Sequence, residues 1–122
     1  MKNAFLGCAL LLASGCALAQ AYPSKPITFV VAFGAGGDSD LSGRNLAQHA
    51  PKYLNNATIV VVNRVGASGA IGTMFAHDAA PDGYTLLIAR IATNAILPAI
   101  DSKAPYKWND FTMISLLETN PY

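Results

Sequence analysis

The sequence predicts an α/β fold built on a parallel sheet with βαβ crossovers. Three short apolar runs, at residues 27–33, 58–63 and 84–89, have the length and composition of buried strands. Each run leads through a loop into a segment with helical character, and two of the loops are rich in glycine. Strands that alternate with helices pair in parallel, and a parallel sheet that is covered on both faces has continuously apolar strands.

The first unit begins with the strand predicted over residues 27–33, where only Thr28 interrupts the apolar run. A loop at residues 34–40 follows it. Leucines and alanines at approximately helical spacing then predict a helix over residues 41–54. Pro51 lies late in this segment, so we expect it to kink or end the helix.

The second unit repeats this order, with a strand at residues 58–63, a glycine-rich loop at 64–69 and a helix at 70–80. A Pro-Asp-Gly turn then leads to a third strand at residues 84–89, because proline presets its φ angle and glycine accepts a positive one. Residues 90–94 are predicted to form the loop after this strand.

The remaining sequence is less regular. Residues 95–100 predict a short helix that Pro98 would cut. The apolar run at residues 111–117 resembles a fourth strand. Tyr106 and Trp108 lie between these segments, and we interpret them as packing residues rather than as a surface on which a ligand stacks.

The loop at residues 34–40 reads Gly-Ala-Gly-Gly-Asp-Ser-Asp, and it has two interpretations. Glycine lets the backbone come close to a ligand. The first N–H groups of the helix that follows have no partner inside it and lie at the positive end of its dipole. These features favour a bound carboxylate, whereas the alternative is a tight turn in which Asp38 or Ser39 caps the helix.

The predicted topology favours the ligand interpretation. All strands of a parallel sheet end at the same edge, so the three loops that follow them open on one side, where open α/β sheets bind ligands. We therefore expect Gly36, Ser68 and Thr93 to lie on the same rim.

Three arginines lie near these loops: Arg44, Arg64 and Arg90. A guanidinium group binds a carboxylate bidentately, so Arg64 or Arg90 could contact an anionic ligand. Arg90 is the stronger candidate because it follows the third strand directly. The alternative partner of either arginine is one of three aspartates, Asp38, Asp40 and Asp82.

Composition and motifs argue against several other functions. Eight Lys and Arg stand against seven Asp and Glu, and this balanced charge argues against a nucleic acid as partner. His49 and His77 have no Cys or His at ligand spacing, so we expect no metal site. The third glycine of a dinucleotide fingerprint falls on Ser39, and neither Gly-Lys-Ser/Thr nor Gly-x-Ser-x-Gly occurs. We therefore expect no cofactor and find no catalytic set.

Residues 1–19 have the features of a secretory signal peptide: a charged start, an apolar segment and a small-x-small ending. We expect cleavage after Ala19. The alternative is a lipobox that ends at Cys16 and yields a lipid-anchored protein, although alanine holds a position where Leu, Val or Ile is usual. Both cysteines, Cys8 and Cys16, lie in this segment, so the mature chain would have no disulfide.

Four stretches carry a family resemblance: Tyr-Pro-Ser-Lys-Pro-Ile at 22–27, the glycine loop with Asp40, Asn-Arg-Val-Gly-Ala-Ser-Gly-Ala-Ile-Gly at 63–72, and Ala-Pro-Asp-Gly-Tyr-Thr-Leu-Leu at 80–87. Together they resemble the extracytoplasmic substrate-binding proteins of tripartite tricarboxylate transporters, the Bug family. The resemblance covers nearly all of the sequence after the signal segment.

This resemblance implies a fold similar to a type II periplasmic binding protein, in which two α/β domains close on a small molecule. It implies a periplasmic protein, not an enzyme, that delivers a small organic anion such as a di- or tricarboxylate to membrane permease subunits. Carboxylates are then held largely by backbone N–H groups and ordered waters. Carried over to this sequence, the implied ligand-binding residues are Phe33, Gly34, Ala35, Gly36, Gly37, Asp38, Ser39, Asp40, Gly66, Ala67, Ser68, Gly69, Arg90, Ala92, Thr93 and Asn94.

The sequence departs from the family pattern within two of the implied ligand loops. Ala32 and Ala35 replace two prolines of the first loop, and Gly34 loosens it further. Arg90 stands in the third loop where small residues are usual. Both departures leave the identity of the ligand open.

The length of 122 residues suits one small domain rather than two. We expect a signal peptide at residues 1–19 and a partial N-terminal α/β domain at 20–122, incomplete at the C-terminus and without the second domain. A site with one wall encloses little ligand, so we expect this chain alone to bind weakly or not at all. The alternatives are the N-terminal part of a secreted α/β enzyme and a non-functional truncation with exposed apolar edges.

Overall fold

The computed structural model describes residues 21–119 and contains a sheet of three parallel strands with helices between them. The strands are β1 (Ile27–Val31), β2 (Ile59–Asn63) and β3 (Thr85–Ile88). The helices are α1 (Asp38–His49), α2 (Ala70–His77) and α3 (Leu97–Ile100). The predicted α/β fold with a parallel sheet is confirmed, and the predicted signal segment lies outside the described residues.

The sheet has the strand order β2-β1-β3, so β1 is the central strand. Its register places Phe29 between Val61 of β2 and Leu86 of β3. Val30 and Val31 are both fully buried. Because successive side chains of a strand point to opposite faces, this burial means that both faces of the sheet are covered at its centre.

Strand β1 and the first helix differ from their predicted bounds at the loop between them. Strand β1 ends at Val31, and α1 begins at Asp38 instead of residue 41, so the acidic end of the predicted loop is the first turn of the helix. Neither Asp38 nor Ser39 caps this helix, and the prediction of such a cap is wrong. Gly37 holds the cap position without a side-chain hydrogen bond, while the side chains of Asp38 and Ser39 bind an arginine instead.

Prolines act differently at the ends of α1 and α3. Helix α1 ends at His49 and continues as a 3₁₀ turn, Ala50–Tyr53, so Pro51 ends the α-helix as predicted. Pro98 does not cut the last helix. It is the second residue of α3, which continues directly from a π-helical turn at Ala92–Ile96, so the helical segment runs on through the proline.

The predicted fourth strand at residues 111–117 is wrong. These residues pair with no strand in the described part of the chain, and Ile114 and Leu116 are more than two-thirds exposed, at 74% and 77%. An apolar run favours a strand only where a neighbouring strand offers hydrogen bonds and a surface to cover. Among residues 21–119, no helix is both long and apolar enough to cross a lipid bilayer.

The motifs at residues 22–27 and 80–87 meet at the amino ends of the strands, opposite the loops that follow the strands. The Tyr22 hydroxyl donates to the Gly83 carbonyl over 2.7 Å, and the Ser24 N–H donates to the Tyr84 hydroxyl over 2.8 Å. Lys25 forms a salt bridge with Asp82 at 2.9 Å. These motifs therefore join the start of the described chain to the turn before β3.

Candidate functional site

The loops that follow the three strands meet at the carboxyl ends of the strands. A β-carbon built on Gly69 in the second loop would lie 2.5 Å from Thr93 Cγ2 in the third loop and 3.1 Å from Phe33 Cζ in the first. The three loops therefore share one edge of the sheet, as the parallel topology predicts. We call them the loop cluster: residues 33–40, 66–69 and 90–94.

Asp40 organises the first loop from a buried position, with only 2% of its surface exposed. Its Oδ2 atom accepts hydrogen bonds from Arg44 Nε at 2.9 Å and from the Gly36 N–H at 2.8 Å, and its Oδ1 atom accepts one from Asn63 Nδ2 at 2.8 Å. The hydrogen bond from Arg44, followed by those from Gly36 and Asn63, holds the pKa of this carboxyl far below its ordinary value. Both oxygens of the Asp40 carboxylate are therefore bound by donors of the protein itself.

Asn63 joins the first loop to the end of β2. Its Nδ2 group donates to the Phe33 carbonyl over 3.0 Å as well as to Asp40, and its Oδ1 atom accepts from Arg44 Nη2 over 3.1 Å. All polar atoms of this amide have partners. Neither Asn63 nor Arg44 is among the site residues predicted from the sequence, although both hold the first loop in place.

Gly36 and Gly37 use their N–H groups within the first loop, whereas the N–H groups of the first turn of α1 stay unpaired. Gly36 gives its N–H to Asp40, and Gly37 gives its own to the Gly34 carbonyl at 3.3 Å. The first hydrogen bond of the helix runs from the Leu41 N–H to the Gly37 carbonyl. The N–H groups of residues 38–40 therefore have no helical partner, which is the usual condition of a helix start that binds an anion.

The second loop contains four consecutive residues with positive φ angles. The angles are +142° at Gly66, +46° at Ala67, +53° at Ser68 and +93° at Gly69. The left-handed conformation costs a non-glycine residue roughly 1–2 kcal/mol, so Ala67 and Ser68 carry strain. Among residues 21–119 their N–H groups have no acceptor, and consecutive amides in such a turn form a concave site for an anion.

The third loop contributes two buried polar side chains from the π-helical turn, Thr93 and Asn94, which are 1% and 4% exposed. The Thr93 hydroxyl lies 3.1 Å from both the Arg90 carbonyl and Asn94 Oδ1, and Asn94 Nδ2 has no partner among the described residues. The Thr93 hydroxyl has one proton, so it can donate a strong hydrogen bond to only one of these two acceptors. In either orientation of its amide, therefore, Asn94 keeps one buried polar atom without a strong partner, which is rare in folded proteins.

The arginines have different partners. Arg90 donates from Nε to Ser39 Oγ over 2.6 Å and from Nη2 to the Asp38 carboxylate, so it joins the third loop to the first. The predicted alternative of a salt bridge is correct for Arg90. Arg64 forms no salt bridge with an aspartate in the described part of the chain, and its guanidinium lies over the Phe75 ring, 4.6 Å from the centroid.

A family model described as a tripartite tricarboxylate transporter family receptor matches residues 43–122. The chain belongs to this family.

Two related sequences illustrate the match to the receptor family. The chain is 39% identical over 97 residues to a UPF0065 protein of Bordetella bronchiseptica, which covers 80% of this chain and 29% of that protein. It is 37% identical over 105 residues to Protein BugT of Bordetella pertussis, which covers 84% of this chain and 32% of that protein. This receptor-family chain therefore spans about a third of the length of these relatives.

Solved structures agree with the sequence match. A structure described as a periplasmic transporter has a TM-score of 0.68 and 45% identity, and the match covers 72% of this chain and 29% of that one. The periplasmic binding protein BugD has a TM-score of 0.52 and 45% identity, over 54% of this chain and 22% of that one. The chain therefore shares its fold with part of each of these periplasmic proteins.

Tyr106 supports the loop cluster of this receptor-family chain from outside it. Its side chain is 2% exposed, packs edge-on against Phe111, and donates from the hydroxyl to the Thr93 carbonyl over 2.9 Å. This confirms Tyr106 as a packing residue. Trp108, by contrast, is 64% exposed.

Substituting phenylalanine for Tyr106 is expected to lower the free energy of unfolding by about 1 to 2 kcal/mol, because it leaves the Thr93 carbonyl buried without its donor. Urea denaturation followed by circular dichroism measures this change. Tyr53→Phe is the matched control, since Tyr53 is 78% exposed, and we expect it to have no measurable effect. Equal stabilities of the two variants would show that the Tyr106 hydrogen bond does not support the loop.

Proposed function

We propose that this chain supplies one wall of the ligand site of a periplasmic solute-binding protein that captures a small organic anion through a carboxylate group. In this proposal the protein delivers its ligand to the membrane permease subunits of a tripartite transporter. Membership of the receptor family supports the transport role and the location. The observation that carries the ligand class is the convergence of unpaired donors in the loop cluster.

These donors come from separate loops and differ in kind. The first turn of α1 presents the N–H groups of residues 38–40, and the left-handed turn presents those of Ala67 and Ser68. Asn94 adds a buried amide with an unsatisfied atom. Backbone donors that are fixed in position before the ligand arrives suit a carboxylate, which accepts several hydrogen bonds.

The acidic residues of the first loop do not oppose this role. Asp40 is paired with Arg44 and Asp38 is paired with Arg90, so these four side chains have no net charge together. The partial positive charge at the start of α1 then remains to attract an anion. Without the two arginines, the aspartates would repel a carboxylate at this place.

The site proposed here is open on the side away from the sheet. Gly34, Ala35, Gly36 and Gly37 are exposed. Two surface depressions in the described part of the chain lie elsewhere, one beside α3 and Trp108 and one between α1 and Glu118, and neither includes a residue of the loop cluster. In our proposal, the facing wall comes from sequence beyond this chain, as the greater length of the relatives allows.

The proposal is tested by titrating the ¹⁵N-labelled chain with succinate and following its amide signals by NMR. We expect the signals of Ala67, Ser68 and the first turn of α1 to shift, with a dissociation constant of about 1 mM or weaker because the site has one wall. Succinamide has the same shape without the charge and should cause no shift. Absent shifts with succinate, or equal shifts with succinamide, would overturn the proposed ligand class.

Asn94→Leu separates a role in binding from a role in stability. Leucine has a similar volume and removes the unsatisfied polar atom, so we expect the free energy of unfolding to rise by about 1 kcal/mol. We expect the same variant to reduce the shifts caused by succinate. Urea denaturation and the NMR titration measure the two effects, and a variant that is less stable but binds succinate normally would contradict this assignment.

A further inference from the structure

We propose that Arg90 is a side-chain anchor for one carboxylate of the ligand, and that Asp38 and Ser39 are the residues that position its guanidinium. This inference rests on the proposed function and goes beyond the backbone mode of binding that the family resemblance implies. It is carried by the contacts of Arg90, which differ from those of the other arginines near the loop cluster.

Arg44 is occupied by other groups, and the guanidinium of Arg64 stacks on an aromatic ring. Arg44 donates to Asp40 and Asn63, and the Asp40 carboxylate is buried and receives further donors, so a ligand cannot displace it easily. Arg64 lies on the Phe75 ring. Among these three arginines, Arg90 is the one whose guanidinium joins two loops of the loop cluster.

The guanidinium of Arg90 is held along one edge and open at the other. Its Nε atom donates to Ser39 Oγ and its Nη2 atom donates to Asp38, and these two donors form one side of the planar group. Its Nη1 atom has no acceptor among residues 21–119. A guanidinium carries five N–H donors, so the outer edge of Arg90 can still form two parallel hydrogen bonds with a carboxylate.

The position of Arg90 is fixed by both of the loops that it joins. Ser39 is 4% exposed, so its hydroxyl is a rigid acceptor. In the third loop, the Arg90 carbonyl accepts hydrogen bonds from the N–H groups of Thr93 and Asn94 at 3.1 and 2.9 Å. An arginine that is oriented before binding loses less side-chain entropy when the ligand arrives.

The negative charge of Asp38, next to Arg90, limits which anions can bind there. Asp38 lies beside the held edge of Arg90 and its side chain is 51% exposed, so a second negative charge close to the anchored group would be repelled. The pair therefore suits a single carboxylate group, with any further acidic group of the ligand some distance away. A phosphate dianion fits this arrangement less well.

The test follows the Nε–H signal of Arg90 by NMR while the ¹⁵N-labelled chain is titrated with succinate or with inorganic phosphate. We expect the Arg90 signal to shift with succinate, and to shift less with phosphate at equal concentration. The Nε–H signals of Arg44 and Arg64 serve as internal references and should stay in place. Because this titration uses the unaltered chain, it tests whether Arg90 contacts the ligand even if a variant fails to fold.

Variants then separate anchoring from positioning. Arg90→Lys keeps the positive charge but loses the paired N–H donors that bind a carboxylate bidentately, and we expect it to weaken succinate binding about tenfold. Arg64→Lys is the matched control and should leave succinate binding unchanged. Asp38→Asn is expected to weaken binding to a smaller extent and to reduce the response of the Arg90 signal. Tighter binding by Asp38→Asn would overturn the inference, because Asp38 would then compete with the ligand for Arg90.

The outcomes distinguish this inference from the function on which it rests. Shifts of the Ala67 and Ser68 amides without a shift of the Arg90 signal, together with normal binding by Arg90→Lys, would leave the proposed function standing and refute the anchor. An absence of shifts at both places would refute both.

Discussion

Gly72→Ala is expected to lower the free energy of unfolding by about 3 kcal/mol or more, or to prevent folding. A β-carbon at this position would lie 2.6 Å from the Arg64 carbonyl oxygen and 2.7 Å from Ala32 Cα. Both are backbone atoms at strand ends, so neither can move aside without shifting a strand. Helix α2 would have to leave the sheet, and the left-handed turn before it would move as well.

Urea denaturation followed by circular dichroism measures the effect of Gly72→Ala. Gly43→Ala is the matched control, because a β-carbon there would meet side-chain atoms, Ile88 Cγ1 at 3.2 Å and Val31 Cγ2 at 3.4 Å, which can adjust. Alanine also favours a helix over glycine by about 1 kcal/mol, which offsets part of the crowding at residue 43. If the two variants have similar stabilities, the close packing of α2 on β1 is not what holds the second loop at the edge of the sheet.

The elements that the sequence predicts well are those whose signal is local. The continuous apolar run of β1 predicts a strand that is buried on both faces, and the structure places it at the centre of the sheet. Pro51 ends an α-helix because its ring and missing N–H act on the adjacent turn. The shared edge of the loops follows from parallel topology alone, without knowledge of any side-chain contact.

The network around Asp40 shows how an error at one boundary hides a contact. Asp40 and Arg44 are four residues apart, which is the spacing of a helical ion pair. A helix predicted to begin at residue 41 leaves Asp40 in the loop, where helical spacing does not apply and the pair with Arg44 stays hidden. Asn63 is the remaining partner, and its contact with Asp40 spans two elements, which no local pattern predicts.

The strained backbone of the second loop also lies beyond sequence reasoning. Glycines at positions 66 and 69 indicate a turn, but nothing in the residue types of Ala67 and Ser68 predicts a left-handed conformation. The turn ends at Gly69, which lies close to Thr93 and Phe33 of the neighbouring loops. Strain of this kind persists where the surrounding structure enforces it, and it is concentrated at functional sites.

Asp40→Asn is expected to destabilise the chain strongly at neutral pH. The carboxylate accepts from Gly36 and Arg44 on one oxygen and from Asn63 on the other. An asparagine has one oxygen and one NH₂ group, so in either orientation its NH₂ faces a donor. Arg44, whose side chain is 50% exposed, also loses its opposite charge, and the first loop loses the group that holds it.

The effect of this variant should depend on pH in a defined direction. The pKa of Asp40 in the folded chain lies far below the ordinary value of 3.8, so ionisation of this carboxyl stabilises the folded state. That contribution is present in full at pH values well above 3.8, and it decreases as the pH falls below this value. The stability gap between the unaltered chain and Asp40→Asn should therefore be large at pH 7 and smaller in acid.

Urea denaturation of both proteins at neutral pH and at the lowest pH where they remain folded measures this gap. Asp101→Asn is the matched control, because Asp101 is exposed and its Oδ1 atom accepts from the Lys103 N–H, which asparagine can also do. We expect a small gap for this control at every pH. A gap for Asp40→Asn that stays constant with pH would mean that shape and hydrogen bonding, rather than the charge of Asp40, hold the first loop against the sheet.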